Sequence, residues 1–288
     1  MTQPVTAPTP DFGTLWGHPK PLWMLFMAEF WERFAFYGIR WALVLYIVSQ
    51  FYNGDGSGQA DANRYYGAYL ALVYATAIFG GYVADRVIGY QRSIILGAIV
   101  MSVGLFMIML PNLQLFLLGL AVIVVGNGLF KPNISSLVGQ LYQQGDDRRD
   151  RGITIFYMGI NLGGMISPII TGWLAEEIFG TPQYQNYKAV FAAAGVGMLL
   201  STIWFYIGRA QLKGIGAVPE DKPAGKMLAY VIAGVLLAIP VVYFLLAGLG
   251  AQTLAWILGV LFVIVAGMLL AEGKANGTVQ LHRVYALL

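Results

Sequence analysis

The sequence predicts an all-α integral membrane protein, and three observations carry that expectation. Charged residues make up only 11% of the 288 positions and hydrophobic ones 58%. A soluble domain carries about 25% charged residues, so this chain lacks the polar side chains to wet a globular surface. The mean hydropathy of +0.67 points the same way. Apolar stretches also recur at about 20 residues, the length that crosses a ~30 Å hydrocarbon core.

Taken in order, the predicted spans fall at 21–50, 64–84, 93–110, 113–140, 152–178, 187–208, 227–248 and 253–271. Pro111-Asn112 turns the chain between the third and fourth. The charged run Gly145-Asp146-Asp147-Arg148-Arg149-Asp150-Arg151 separates the fourth from the fifth. Residues 1–20 hold Pro, Thr, Asp and Gly and no short apolar core, so they read as a cytosolic tail and not a cleaved leader. Residues 209–226 form the longest polar linker, rich in Gly and Pro. It divides a six-span unit, 21–208, from a span pair, 227–271, with 272–288 beyond.

Lysine and arginine give the orientation. With the N-terminus in the cytosol, one side holds Lys20, Arg86, Arg92, Arg148, Arg149, Arg151, Arg209, Lys213, Lys222, Lys226, Lys274 and Arg283. The other holds Arg64 and Lys188 alone. Positive charge concentrates in cytosolic loops, so the assignment is well supported. Cysteine is absent, which excludes disulfides and thiolate chemistry. A net charge of +3 does not suggest a nucleic-acid partner, and His18 and His282 have no neighbours at metal-ligand spacing. Pairs such as Gly80-Gly81, Gly126-x-Gly128 and Gly159-x-x-x-Gly163-Gly164 read as close helix packing, with a hinge or cavity wall as the other reading.

Three charges remain inside the spans among the basic residues: Arg33, Arg40 and Lys131. The first span also carries Glu29 and Glu32. Each such residue costs roughly 2.5–3.5 kcal/mol at the helix centre. Glu29, Glu32, Arg33, Phe36, Tyr37 and Arg40 recur at helical spacing, so they share one face, and that face must meet protein or a wet cavity. Glu29 and Arg33 stand at i, i+4 and can neutralise each other. The other reading is an ion or substrate path. Lys131, followed by Pro132, lies within the fourth span and can either snorkel or pair with Glu29 or Glu32 across a cavity.

These residues carry a resemblance. Glu29-x-x-Glu32-Arg33-Phe34-x-Phe36-Tyr37-Gly38 resembles the first-helix signature of the proton-dependent oligopeptide transporter (POT) family of the major facilitator superfamily. Gly80-Gly81-Tyr82-Val83-Ala84-Asp85-Arg86, continuing to Gly89-Tyr90-Gln91-Arg92, is similar to the superfamily's loop between helices two and three. Phe156-Tyr157-Met158-Gly159-Ile160-Asn161-Leu162-Gly163-Gly164 is similar to the family's fifth-helix signature, and Lys131 stands where the family has a fourth-helix lysine.

The resemblance implies a six-helix N-terminal bundle followed by an inserted transmembrane helix pair. It implies proton-coupled uptake of di- and tripeptides by alternating access in the cytoplasmic membrane, with protons as coupling ion and no other cofactor. Glu29, Glu32, Arg33 and Lys131 would couple the proton. Arg40, Tyr37, Phe36, Tyr74, Lys131 and Asn161 would line the peptide site. Asp85, Arg86 and Arg92 would latch the cytosolic side. A second six-helix half would complete the cavity, within membrane lipid. The family signature has two tyrosines before the glycine, and here Phe36 replaces the first, removing one hydroxyl. The chemistry of a dipeptide fits: its carboxylate suits Arg40 or Lys131, and its amide suits Asn161 as donor and acceptor. The same fold could instead carry nitrate or another small anion. A carboxylate-pair hydrolase is the reading from outside transport, and the cationic neighbours of Glu29 and Glu32 speak against it.

Overall fold

Proline and asparagine set where the helices begin. Pro21 sits in the first turn of the first helix, where its lost N–H has no partner to lose. Asn112 caps the fourth by accepting from the Leu115 N–H at 3.0 Å. The computed structural model describes residues 10–143, 145–181, 184–218 and 224–248, with scattered positions between 253 and 267. Its long helices are α1 (Lys20–Phe51), α2 (Gln59–Val83), α3 (Tyr90–Met107), α4 (Leu113–Gln140), α5 (Arg149–Trp173), α6 (Tyr187–Gly208) and α7 (Ala224–Gly248). Among the described residues, seven helical segments are long and apolar enough to cross a membrane. The eighth predicted span, at 253–271, lies largely outside the described residues.

The bundle is organised around α4. Its residues are buried almost continuously from Gly119 to Phe130, against α3 on one side and α2 on another. α1 packs on α5 and α6, and α3 on α6. Glycines permit this closeness. A Cβ at Gly97 of α3 would lie 2.6 Å from the Gly126 carbonyl oxygen of α4, and one at Gly80 of α2 would collide with the Gly128 carbonyl. In lipid, where apolar burial between helices gains little, such backbone approach is a main source of helix association. α7 rests on α4 and α2, and Arg64 Nη1 donates to the Ala247 carbonyl at its end (3.2 Å).

Two polar segments differ from their sequence reading. Within the expected tail, β1 (Thr14–Leu15) and β2 (His18–Pro19) form an antiparallel hairpin. Trp16 and Gly17 turn it at φ 51° and 79°, the positive pair that a tight hairpin requires. It docks on the bundle: His18 Nδ1 lies 2.9 Å from the Tyr142 hydroxyl, and Arg148 Nη1 donates to the Gly17 carbonyl at 3.3 Å. The start of the linker also packs. Gln91 donates from its backbone to the Gly216 carbonyl (3.0 Å) and from its side chain to that of Ile215 (2.7 Å). Leu212 is fully buried and anchors the turn. The cause in both cases is a few apolar or ring-bearing residues inside a polar run, each finding a site at the same end of the bundle.

Candidate functional site

The central feature is a dry cluster of charge on α1. Glu29, Glu32 and Arg33 are 1%, 0% and 3% exposed, so none of them faces lipid or water. Arg33 holds Glu32 with two parallel bonds, Nη2 to Oε1 at 2.7 Å and Nε to Oε2. The same Nε lies 3.2 Å from Glu29 Oε1. Glu29 Oε2 is buried without a hydrogen-bond partner among the described residues. Asn127, in the middle of α4, donates from Nδ2 to Glu32 Oε1 at 3.1 Å. Phe36 covers the other side of the guanidinium, with Arg33 Cζ 4.8 Å from its ring centroid.

Neighbouring helices hold α1 in register. Ser167 of α5 donates to the Phe34 carbonyl (2.5 Å) and Ser201 of α6 to the Ala28 carbonyl (2.6 Å). Gly163 brings the α5 backbone onto α1; a Cβ there would stand 2.6 Å from the Phe30 carbonyl oxygen. The cluster therefore sits on a fixed helix, and its charges are removed from water at a cost that only close pairing offsets.

The second feature is an open wall beside it. Arg40 is exposed, bonded by Nε to the Tyr66 hydroxyl at 2.9 Å and 5.8 Å from the centroid of Tyr37. Lys131 is half-buried, with Nζ 4.5 Å from the centroid of Tyr74, whose ring is 61% exposed. Asn161 is exposed on α5. Arg40, Tyr37, Tyr74, Lys131 and Asn161 thus come from α1, α2, α4 and α5 with their polar ends uncovered or partly so.

Two expectations need correction. Phe36 is buried to 4% exposure and lines no open surface, because the helical turn that carries it past Arg33 also presses it against the guanidinium. Lys131 forms no ion pair with Glu29 or Glu32 among the described residues; the two acids are taken by Arg33, and the ammonium rests on Tyr74. The local pairing orders fewer chain segments than one reaching across from α4, so it wins. Asp85 accepts a hydrogen bond from the Tyr90 hydroxyl at the α2–α3 turn, beside Arg86 and Arg92. Gly89 makes that turn at φ 77°, tight under the Ala217 carbonyl.

Asn127 and Tyr66 are the residues that sequence reasoning missed. Asn127 had a signal. It is a lone amide in an apolar run, one helical turn before Lys131. Tyr66 had none, since the neighbouring Tyr65 offers the same chemistry on another face.

Comparisons with known proteins identify the family. Residues 91–227 match the POT family model. The chain belongs to the POT family. Over 215 residues it is 41% identical to the uncharacterized transporter YclF of Bacillus subtilis, covering 74% of this chain and 42% of that protein. Over 266 residues it is 36% identical to dipeptide and tripeptide permease A of Citrobacter koseri, covering 91% of this chain and 50% of the permease. A crystal structure of a POT family transporter in complex with 5-aminolevulinic acid superposes with a TM-score of 0.75 at 31% identity, covering 97% of this chain and 58% of that one. Its relatives are thus transporters and permeases, not enzymes. This POT chain spans about half the length of the curated relatives it matches. Like them it is a multi-pass helical membrane protein of the major facilitator fold.

Proposed function

We propose that this chain supplies the N-terminal half of a proton-coupled symporter of di- and tripeptides. It would work by alternating access in the cytoplasmic membrane, with its N-terminus in the cytosol. One observation carries the reading. A charge cluster sealed from water and Arg40 of the open wall stand on the same helix, seven residues apart from Arg33 to Arg40. The permease relatives named for dipeptides and tripeptides support the cargo.

The division of labour follows from exposure. Glu29, Glu32 and Arg33 hold charge where its gain or loss is energetically large, which suits a proton-reading device. Arg40 and Lys131 present cations to a peptide carboxylate, Asn161 an amide to the peptide bond, and Tyr37 and Tyr74 aromatic walls to variable side chains. Lys131 takes part in coupling through space, as a cation near Glu29 and Glu32 that rests on Tyr74. Asp85, Arg86 and Arg92 latch the cytosolic side. A C-terminal six-helix half faces the open wall and completes the cavity between two rocking bundles. α7 opens the inserted helix pair at 227–271, joined through the 209–226 linker.

The test is uptake of labelled dialanine into proteoliposomes by the protein expressed from its complete reading frame. Unlabelled dipeptide is expected to compete at micromolar to millimolar concentration, as for substrates in general, and nitrate is not. Competition by nitrate with no effect of dipeptide overturns the peptide reading in favour of anion transport.

A further inference from the structure

The two glutamates of the cluster are held unequally, and the difference comes from another helix. Glu32 has three donors: two from Arg33 and one from Asn127. Glu29 touches Arg33 with one oxygen, and its other oxygen is buried without a partner among the described residues. Among the described residues, the hydrogen bond to this pair from α4 comes from Asn127. It is fully buried in an apolar stretch, and its other close polar neighbour is the weakly accepting Met101 Sδ at 4.0 Å. Its Oδ1 has no partner among the described residues.

A buried amide with one half unsatisfied is costly. Its single bond is to a carboxylate, the acceptor that makes such bonds strongest. We infer that Asn127 is a positioning residue of the coupling cluster: its amide fixes Glu32 on Arg33 and ties the charge state of α1 to the position of α4. This rests on the proton-coupled reading above.

The amide suits the task because it has two faces. Nδ2 donates to an ionised Glu32. After a half-turn about its terminal bond, Oδ1 accepts from a protonated Glu32. Both charge states of the acid thus have a partner, which a leucine or a second acid could not supply. Lys131 lies four residues further along α4, on the same face. A movement of α4 that repositions Lys131 at the open wall therefore also draws Asn127 along the Glu32 carboxylate. The other groups that face the pair are Arg33 and Glu29 on α1, Tyr69 on α2 and Lys131 on α4. None of the last three is bonded to Glu32.

The experiment titrates the carboxyl C=O stretch by infrared difference spectroscopy, on the purified protein of the complete reading frame, and follows the pH profile of dialanine uptake alongside. Asn127→Leu removes the donor and keeps the volume. Its titration midpoint and uptake profile are expected to move to higher pH by about one unit, the worth of a hydrogen bond to a charged group. Asn127→Ser, a smaller donor, is expected to recover part of the shift. In a Glu32→Gln background, Asn127→Leu is expected to produce none. A thermal midpoint that falls while both pH profiles stay fixed shows a merely structural amide and overturns the inference, as does a shift that persists without Glu32. If wild-type protein takes up no dipeptide, the symport reading fails, and the infrared titration still decides the role of Asn127.

Discussion

Helix α1 contains two regions of the same chemistry in opposite surroundings. Glu29, Glu32, Arg33, Phe34 and Phe36 are buried on a stretch of α1 held by α4, α5 and α6. One turn later Arg40 is exposed, beside a half-exposed Tyr37. A 3.6-residue period places all of them on one stripe. Burial then splits the stripe into a part that holds charge and a part that can meet a ligand. The lesson is that periodicity assigns a face, and the neighbouring helices decide whether that face is covered.

The largest expected effect comes from repeating one substitution on both sides of that split. Arg33→Leu strands two buried carboxylates, which costs about 3–5 kcal/mol. Arg40→Leu removes an exposed guanidinium and is expected to change stability by less than about 1 kcal/mol. Thermal unfolding in detergent reads both. Equal midpoints for the two variants would break the comparison.

Aromatic residues sharpen it. Phe36→Ala opens a hole beside the guanidinium and is expected to cost about 3 kcal/mol or more. Tyr74→Ala, on the open wall, is expected to leave the thermal midpoint nearly unchanged while weakening substrate binding. Such a division places Phe36 with the cluster and Tyr74 with the site. Equal losses of stability would return Phe36 to the wall.

Next in size are effects on binding alone. Arg40→Ala and Lys131→Ala each remove a cation from the open wall. Dialanine affinity is expected to fall roughly 10-fold or more for each, the worth of a charge-assisted hydrogen bond, with little change in unfolding. Isothermal titration would show it. Unchanged affinity in both variants would take the peptide carboxylate away from this wall.

Much of this fold is legible in the sequence. α4 and α6 begin and end where hydropathy places them, at 113–140 and 187–208, because Asn112 and a sharp change of polarity mark their ends. α2 starts earlier than its apolar run, at Gln59. Asp61 in its first turn accepts from the Tyr52 hydroxyl at 2.8 Å, and an acid there suits the helix dipole. The charge stripe was legible too. The partner of Lys131 was not. Pairing across helices depends on the rotation of α4, which glycine contacts with α2 and α3 set at a distance in sequence. The docked hairpin was hidden for a similar reason: Trp16-Gly17-His18 is too short to register against its polar surroundings.

That hairpin supplies the smallest expected effect. Burial, with Arg148 and Arg151 close by, lowers the pKa of His18 below its usual 6.5, and Asp146 opposes them. The docked state therefore binds a proton less readily than the undocked one. The contribution of His18 to docking is fully present above pH 6.5 and is lost as pH falls through the lowered value. Hydrogen-exchange protection factors of residues 10–19, the intrinsic exchange rate at each pH divided by the observed one, are expected to fall on acidification in wild type and to become flat with pH in His18→Phe. The amides of the buried α4 segment serve as the internal reference. A hairpin whose protection factors are the same at every pH would remove His18 from the account.

The most direct test of the account is gradient-driven dipeptide uptake by Glu32→Gln in proteoliposomes, using the complete reading frame. Wild type is expected to concentrate dialanine when protons flow inward. Glu32→Gln is expected to keep exchange of dialanine across the membrane and to lose the response to the gradient. Uptake by Glu32→Gln that still follows the gradient as wild type does would contradict the assignment of the buried cluster to the proton.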